Sequence, residues 1–364
     1  MKKVCHISSV HDVLDVRIML KECMSLAASG FDVTYLCEGT LSLKHGGVRI
    51  IGIPNMEKGR YKRMIKFASL ICDKALELKA DIYHLHDPEL LQFVEKLKSN
   101  GAKVIYDAHE ELPEQIKHKE WVPSLFKGIA SHLTRWYEHK ALKKVSHIIC
   151  VSPLTQQRYS SNGFSNTLIS NYPMLKEFEL TSLENERVDD IVYIGGLFKS
   201  RGLFEMMKVA ALLNVRLHLA GKFEDEATQL AAQTMEEWKQ VYFHGMLDRK
   251  SISILLSKCK VGLLLLHPHK SFQNAYPVKL FEYMAAGLPV VCSNFSLWEQ
   301  MLEEDRFGES CNPLIVHEIA TKVKLLLSDK ELWTQYSEKG KTAVQEKYHW
   351  EKESDKLLKV YASL

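Results

Sequence analysis

The stretch Asn274-Ala275-Tyr276-Pro277-Val278-Lys279-Leu280-Phe281-Glu282-Tyr283-Met284-Ala285-Ala286-Gly287-Leu288-Pro289-Val290-Val291 sets one carboxylate, Glu282, inside an otherwise apolar run. Its pattern predicts a loop, a short helix over 278–286, a tight turn and a buried strand over 289–292. Gly287 is the expected end of the helix, because glycine takes the left-handed C′ conformation at little cost. The first N–H groups of a helix have no intrahelical partner, so a helix start beside strand ends is a ready anion site. Lys279 adds a cation there. A carboxylate one turn further in suits hydroxyls rather than phosphates. Donors above and an acceptor below fit a pyrophosphate and a ribose together.

Three further groups of residues merit the same reading. Ile194-Gly195-Gly196-Leu197-Phe198-Lys199-Ser200-Arg201-Gly202-Leu203 follows a strand and precedes a helix. Gly195 and Gly196 would let a ligand approach the backbone, and Arg201 brings a guanidinium that fork-bonds phosphate. A plain strand-to-helix turn explains the same residues. Val104-Ile105-Tyr106-Asp107-Ala108-His109-Glu110-Glu111-Leu112-Pro113 puts His109 at a strand's carboxyl end, where open α/β sheets hold function. The alternative is a helix start decorated with acids. In Ile82-Tyr83-His84-Leu85-His86-Asp87-Pro88, His84 and His86 share one strand face. Spacing places no third metal ligand beside them, so structural histidines are the favoured reading.

The elements that position these groups alternate strand with helix. Strands are expected at 4–8, 32–37, 48–53, 82–85, 103–107 and 147–151, then at 190–194, 216–220, 241–244, 261–265 and 289–292. Helices are expected between them, among others at 15–29, 62–79, 88–100, 203–213, 224–239, 249–258 and 278–286. This alternation predicts an α/β chain with two doubly wound, Rossmann-like parallel sheets. The Ser170-Asn171-Tyr172-Pro173 segment, whose X-Pro bond disfavours helix, marks the boundary. We expect an N-terminal domain at 1–170, a second at 171–346, and a helix at 347–364 packing back on the first.

Composition narrows the function classes. The 364 residues carry 48 Lys and Arg against 45 Asp and Glu, for a net charge of +3. Residues 1–170 hold 24 basic and 18 acidic side chains, and the excess concentrates at 58–79. The charge is too local, and reader motifs too absent, for a nucleic-acid partner. No apolar run reaches the roughly 18 residues of a membrane span, and the N-terminal apolar stretch is too short for a signal peptide. The eight cysteines are scattered without C-x-x-C, which predicts buried reduced thiols and a cytoplasmic location. No G-x-G-x-x-G follows the first strand and no G-x-x-x-x-G-K-[ST] occurs, which argues against a dinucleotide oxidoreductase and a P-loop. No Asp-x-Asp pair offers metal-binding carboxylates. Residues 58–79 and 115–144 interleave basic and aromatic side chains, among them Lys117, Lys119, Trp121, Leu125, Phe126, Lys127, Arg135, Trp136, Tyr137, Lys143 and Lys144. Such segments either lie at an anionic membrane surface or pack their aromatics on the core.

Taken in order, these motifs resemble the retaining glycosyltransferases of family 4, which have the GT-B fold: two Rossmann-like domains facing a central cleft. The resemblance covers essentially the whole chain and is sharpest at 274–291. It implies transfer of a sugar from a UDP- or GDP-linked nucleotide sugar to the hydroxyl of a glycan or lipid-linked acceptor, in surface polysaccharide or glycolipid assembly, with no metal or other cofactor. Glu282 matches the family glutamate that holds the ribose hydroxyls. The family's other glutamate falls at Asn274, which can hydrogen-bond a sugar but brings no charge. Pro277, Val278, Gly195 and Gly196 would line the donor. Arg201 and Lys279 would neutralise the diphosphate, and His109 would contact the donor sugar. Asp15, Arg17 and Glu110 would stand on the acceptor side, with a local Asp15–Arg17 salt bridge as the alternative for that pair. A nucleotide-sugar 2-epimerase of the same fold and a non-catalytic sugar-nucleotide-binding protein are the competing readings.

Overall fold

The computed structural model describes residues 1–57, 59, 62–109, 127–179 and 187–364. Its contacts divide the chain into two compact units, Met1–Asn171 with Glu353–Leu364, and Tyr172–Lys352.

In the first unit the strands are β1 (Lys3–Ile7), β2 (Asp32–Glu38), β3 (Ser42–His45), β4 (Val48–Ile53), β5 (Ile82–Leu85), β6 (Lys103–Ala108), β7 (His147–Cys150) and β8 (Asn166–Leu168). They form one sheet in the order β3-β4-β2-β1-β5-β6-β7-β8. All pairs are parallel except β3 with β4. The central strands are buried on both faces, as the continuous apolar runs require. Strand β3 was not expected. It is exposed throughout and mostly polar, with Leu43 its one apolar residue, and Gly46 and Gly47, both at positive φ, close its hairpin with β4. Asp15 caps the following helical segment Val16–Cys23, its Oδ1 accepting from the Ile18 N–H at 2.8 Å. The helix Ala68–Glu77 buries Ala68, Ile71, Cys72 and Ala75, one face at helical spacing. The C-terminal residues join this unit: the Ser170 N–H donates to Glu353 at 2.9 Å, and the Tyr361 hydroxyl lies 2.8 Å from His84 Nδ1.

In the second unit β9 (Val188–Ile194), β10 (Leu217–Ala220), β11 (Val241–Gly245), β12 (Cys259–Leu264), β13 (Val290–Ser293) and β14 (Gly308–Cys311) form a parallel sheet in the order β11-β10-β9-β12-β13-β14. The carboxyl ends of β9 and β12 therefore lie side by side, and the loops after them share one edge. Helix Val278–Ala285 buries Leu280, Phe281, Tyr283 and Met284. Truncating Phe281 to alanine would cost about 3–5 kcal/mol. The helix ends in a Schellman turn, with Gly287 at φ 61°, its N–H donating to Met284, and the Leu288 N–H donating to Tyr283. The helix expected at 224–239 is broken at Met235, which is extended, into Glu226–Thr234 and Glu236–Gln240. All eight cysteines are buried and unpaired.

Candidate active site

In the second unit two cations gather on the turn after β9. Gly195 sits at φ 127°, where a side chain would overlap the ε-carbon of Lys279. A Cβ on Gly196 would come within 2.9 Å of the Phe198 ring and 3.3 Å of Arg201 Nη1. The two glycines thus make room for Lys279 and Arg201. Arg201 closes the turn Lys199–Arg201, stacked 4.8 Å over Phe198. Its buried Nε has no hydrogen-bond partner among the described residues. The His267 N–H donates to the Ser200 carbonyl at 2.9 Å, fastening the loop after β12 to this turn. Tyr283 fastens it from below: its hydroxyl accepts from the Ile194 N–H at 3.2 Å and donates to the Leu263 carbonyl at 3.3 Å.

Burial, with Arg201 as a neighbouring positive charge, pushes the Lys279 ammonium down to about 8 against the pull of Glu282. Lys279 is the second residue of its helix. Pro277 at the N-cap offers no capping side chain, so the Val278 and Lys279 N–H groups are not claimed by one. Glu282, one turn on, is buried and accepts at Oε1 from Arg249 Nη1 at 2.6 Å. Arg249 is held in turn by Glu177, through Nε at 3.2 Å and Nη2 at 2.5 Å. Asn274 is exposed at the end of the short helix Lys270–Gln273, and the next carbonyl, Ala275, accepts from Trp298 Nε1 at 2.9 Å.

In the first unit His109 follows β6, with its side chain 21% exposed. Its Nε2 lies 3.1 Å from Asp107 Oδ2 and 3.3 Å from His86 Nδ1. Arg17 grips Asp107 from the other side with Nε at 2.8 Å and Nη2 at 3.0 Å, and donates to the Ile169 carbonyl at 3.1 Å. Burial opposes the charge on Asp107, but Arg17 and His109 hold its carboxyl well below the usual range. Asp15 Oδ2 lies 3.1 Å from His11 Nδ1. Burial works against that carboxylate, yet the bonds from His11 and the Ile18 N–H bring it down to about 2.

Two family models cover most of the chain: Glycosyltransferase Family 4 over residues 16–171, and Glycosyl transferases group 1 over residues 176–343. The chain belongs to the group 1, family 4 glycosyltransferases. An uncharacterized glycosyltransferase of Haemophilus influenzae is 24% identical over 338 residues, 89% of this chain and 90% of its own length. Among solved structures, sucrose-phosphate synthase from Thermosynechococcus elongatus superposes with a TM-score of 0.74 at 17% identity, covering 100% of this chain and 99% of its own. Anabaena HepE in complex with UDP-glucose superposes with a TM-score of 0.72 at 13% identity, covering both chains in full. These structures show that the glycosyltransferase has the GT-B fold.

Against that fold, the residues singled out from sequence are placed unevenly. Gly195, Gly196, Arg201, Lys279 and Glu282 of the glycosyltransferase come together, with Pro277 and Val278 at the helix start beside them. Arg17 does not face solvent. It is 4% exposed and committed to Asp107, and it forms no ion pair with Asp15 in the structure. The alternative of a local Asp15–Arg17 salt bridge gives way to an ion pair that spans two elements. Glu110 and the basic-aromatic residues Lys117, Lys119, Trp121, Leu125 and Phe126 lie outside the described residues. Arg249 and Glu177 were not foreseen. Arg249 begins a helix capped by Asp248, a position that reads as ordinary solvated surface.

Proposed function

We propose that this glycosyltransferase moves a sugar from a nucleoside-diphosphate sugar to an acceptor hydroxyl with retention of anomeric configuration. The observation that carries the reading is the pairing of Lys279 and Arg201 on the Gly195–Gly196 turn. Two cations gathered on one turn repel, and a diphosphate relieves that repulsion. In this reading the diphosphate lies against Arg201, Lys279 and the N–H groups of Val278 and Lys279. Glu282, oriented by Arg249 at one oxygen, offers the other to the ribose hydroxyls. Asn274 meets the sugar and bears on which sugar is accepted. In the first unit, His109 is the residue assigned to contact the transferred sugar, with Asp107 and Arg17 fixing its orientation.

The step breaks the bond between the anomeric carbon and the diphosphate oxygen, and forms one between that carbon and the acceptor oxygen on the same face. The proton of the acceptor hydroxyl passes to a phosphate oxygen of the departing diphosphate, so no carboxylate base is needed. Stabilising the charge on the leaving group is then the main catalytic task. We assign that charge stabilisation to side chains and helix N–H groups, since no Asp-x-Asp pair occurs in the sequence.

Anabaena HepE, which shares the fold, forms a complex with UDP-glucose, and this favours a UDP-linked donor here. The acceptor side is assigned to a glycan or lipid-linked glycan at the inner face of a membrane. Among the described residues no helix is long and apolar enough to cross a membrane, so the attachment proposed is peripheral. A thermal-shift panel of UDP, GDP, ADP and their sugars tests the donor site, because a ligand that binds only the folded state raises Tm. NMR of the product with the best donor then reads the anomeric configuration. No shift with any nucleotide, or an inverted product, would overturn the proposal.

A further inference from the structure

His6 in β1 stands directly opposite His84 in β5, and His86 follows on the same face. Their rings pack at centroid separations of 4.5, 4.6 and 5.1 Å. Glu22, from the helical segment Val16–Cys23, closes the set. Its Oε2 lies 3.9 Å from His6 Nδ1, 3.9 Å from His84 Nδ1 and 4.0 Å from His86 Nε2. All four side chains are 0% exposed. These separations are too long for hydrogen bonds. Both Glu22 oxygens and His84 Nε2 are buried without a hydrogen-bond partner among the described residues. Arg17 Nε approaches Glu22 Oε1 at 3.1 Å, yet the same guanidinium makes two hydrogen bonds to Asp107. Two buried carboxylates thus share one guanidinium, and a buried carboxylate without its own counter-charge is costly.

We propose that His6, Glu22, His84 and His86 form a closed structural site for a divalent first-row transition metal, with zinc the best match. Three imidazoles and one carboxylate are a zinc-type donor set, and the ion would supply the missing positive charge. Zn–N bonds of about 2.0–2.1 Å place tetrahedral ligand atoms about 3.4 Å apart. The donor atoms here all lie within 4.8 Å of one another, and the 2.9 Å hydrogen bond between His6 Nδ1 and His86 Nε2 is the contact the ion would replace. Small side-chain rotations therefore close the shell.

For His86 and His6 the surroundings match what a ligating histidine needs on its second nitrogen. For His84 the Nδ1 is already bonded to the Tyr361 hydroxyl at 2.8 Å, while its Nε2 has no partner among the described residues. With His86 bound through Nε2, its Nδ1–H faces Asp107 Oδ2 at 3.5 Å. With His6 bound through Nδ1, its Nε2–H faces the Tyr361 hydroxyl at 3.2 Å. Tyr361 belongs to the C-terminal helix Trp350–Ser363, so the ion would also stiffen the seat of that helix. A second set, His86, Asp107 and His109, could hold an ion instead. There Asp107 already takes two hydrogen bonds from the shared Arg17 guanidinium, whereas Glu22 takes none. The metal site is independent of the sugar-transfer reading, and either can fail alone.

The test is metal analysis of untagged full-length protein purified without chelator and then incubated with zinc. We expect about one zinc per chain, an X-ray absorption shell of nitrogen and oxygen at about 2.0 Å, and no sulfur. Chelation should lower Tm by more than about 5 °C, and zinc should restore it. Glu22→Gln and His84→Ala should lose the ion, while His109→Ala should keep it. Zinc content near zero with an unchanged Tm would overturn the proposal and leave the buried charge balanced by a proton. Retention in Glu22→Gln with loss in His109→Ala would overturn it in favour of the second set. If the core variants do not fold, the absorption spectrum of the unaltered protein decides between a four-ligand nitrogen and oxygen shell and none.

Discussion

Arg249 Nη1 donates to Glu282 Oε1 at 2.6 Å, and this ion pair fixes the carboxylate that the proposed ribose contact uses. Two consequences separate. Glu282→Ala removes the ribose acceptor, and hydrogen bonds to a charged group are worth about 1.5–3 kcal/mol. The donor KM should rise about 10–100-fold with a smaller change in kcat. Arg249→Ala leaves the acceptor in place but frees its orientation, so a smaller rise in KM is expected. Glu177 and Glu282 would then lose their shared cation, and the variant should be less stable than Glu282→Ala by denaturant titration. Initial-rate kinetics with saturating acceptor check the first pair of values. An unchanged donor KM in both variants would remove Glu282 from the donor site.

Lys279 gives the donor site a pH dependence whose sign follows from its lowered pKa of about 8. Burial beside Arg201 disfavours the ammonium in the ligand-free protein, and a bound diphosphate favours it. Below pH 8 the lysine is already charged and donor binding takes up no proton. Above pH 8 it is neutral, and binding must take up one. The donor KM should therefore rise by about tenfold per pH unit as pH climbs from about 8, until the pKa of the complex is reached. By the same linkage, ligand-free stability should gain from this group as pH rises from 8 towards 10.5, because the unfolded chain binds the extra proton. Lys279→Arg should shift the basic limb upward, and Lys279→Met should abolish it with a higher KM throughout. A KM flat from pH 7 to about pH 9.5 in the unaltered enzyme would contradict this role.

Gly195 lies so close to Lys279 that a methyl group would displace the lysine side chain. Its φ of 127° is also one that other residues rarely adopt. Gly195→Ala should cost about 1–3 kcal/mol of stability from backbone strain. It should lower kcat/KM by about 100-fold, because the cation moves off the leaving group. Gly163→Ala is the control: it too has positive φ, but nothing lies within 4 Å of its added carbon. Equal losses of activity in the two variants, each measured as fully folded protein, would show that strain alone is at work.

What could be read from the chain follows the range of the physics involved. The turn at Gly287, the helix behind Pro277 and the parallel strands depend on neighbours a few residues away, and their signals are local. Strand β3 escaped because Ser42–His45 is four exposed residues with a single apolar side chain, Leu43, too few to show an alternating face. The Arg249–Glu282 pair joins residues 33 apart on two helices, and nothing in their immediate sequence distinguishes Arg249 from a solvated arginine. His84 and His86 lacked further ligands by spacing alone. The register of β1 against β5 places His6 beside them from 78 positions away, and Glu22 arrives from a helix between. The alternative Asp15–Arg17 pair was a local reading of two charges two residues apart, whereas helical geometry sends Asp15 to the cap and Arg17 into the interior.

The helix Lys127–Leu142 carries Ile129, Leu133 and Trp136 exposed at 59%, 59% and 61%, three large apolar side chains at helical spacing on one face. Lys140 lies 5.4 Å from the Trp136 ring, and Lys143 and Lys144 follow the helix. Exposed apolar residues scattered singly need no explanation, but a stripe flanked by cations is what an anionic interface binds. The expected outcome is flotation of the protein with vesicles containing phosphatidylglycerol, weaker flotation with neutral vesicles, and release as salt screens the charges. Burying three such side chains at about 1.5–3 kcal/mol each would dominate over the lysines. Leu133→Ser with Trp136→Ser should therefore reduce binding more than Lys143→Gln with Lys144→Gln. Activity on a soluble acceptor should be unchanged in the apolar double variant, because these residues lie outside the donor site proposed here. Flotation equal to that of the unaltered protein in that variant would assign the membrane contact elsewhere or remove it.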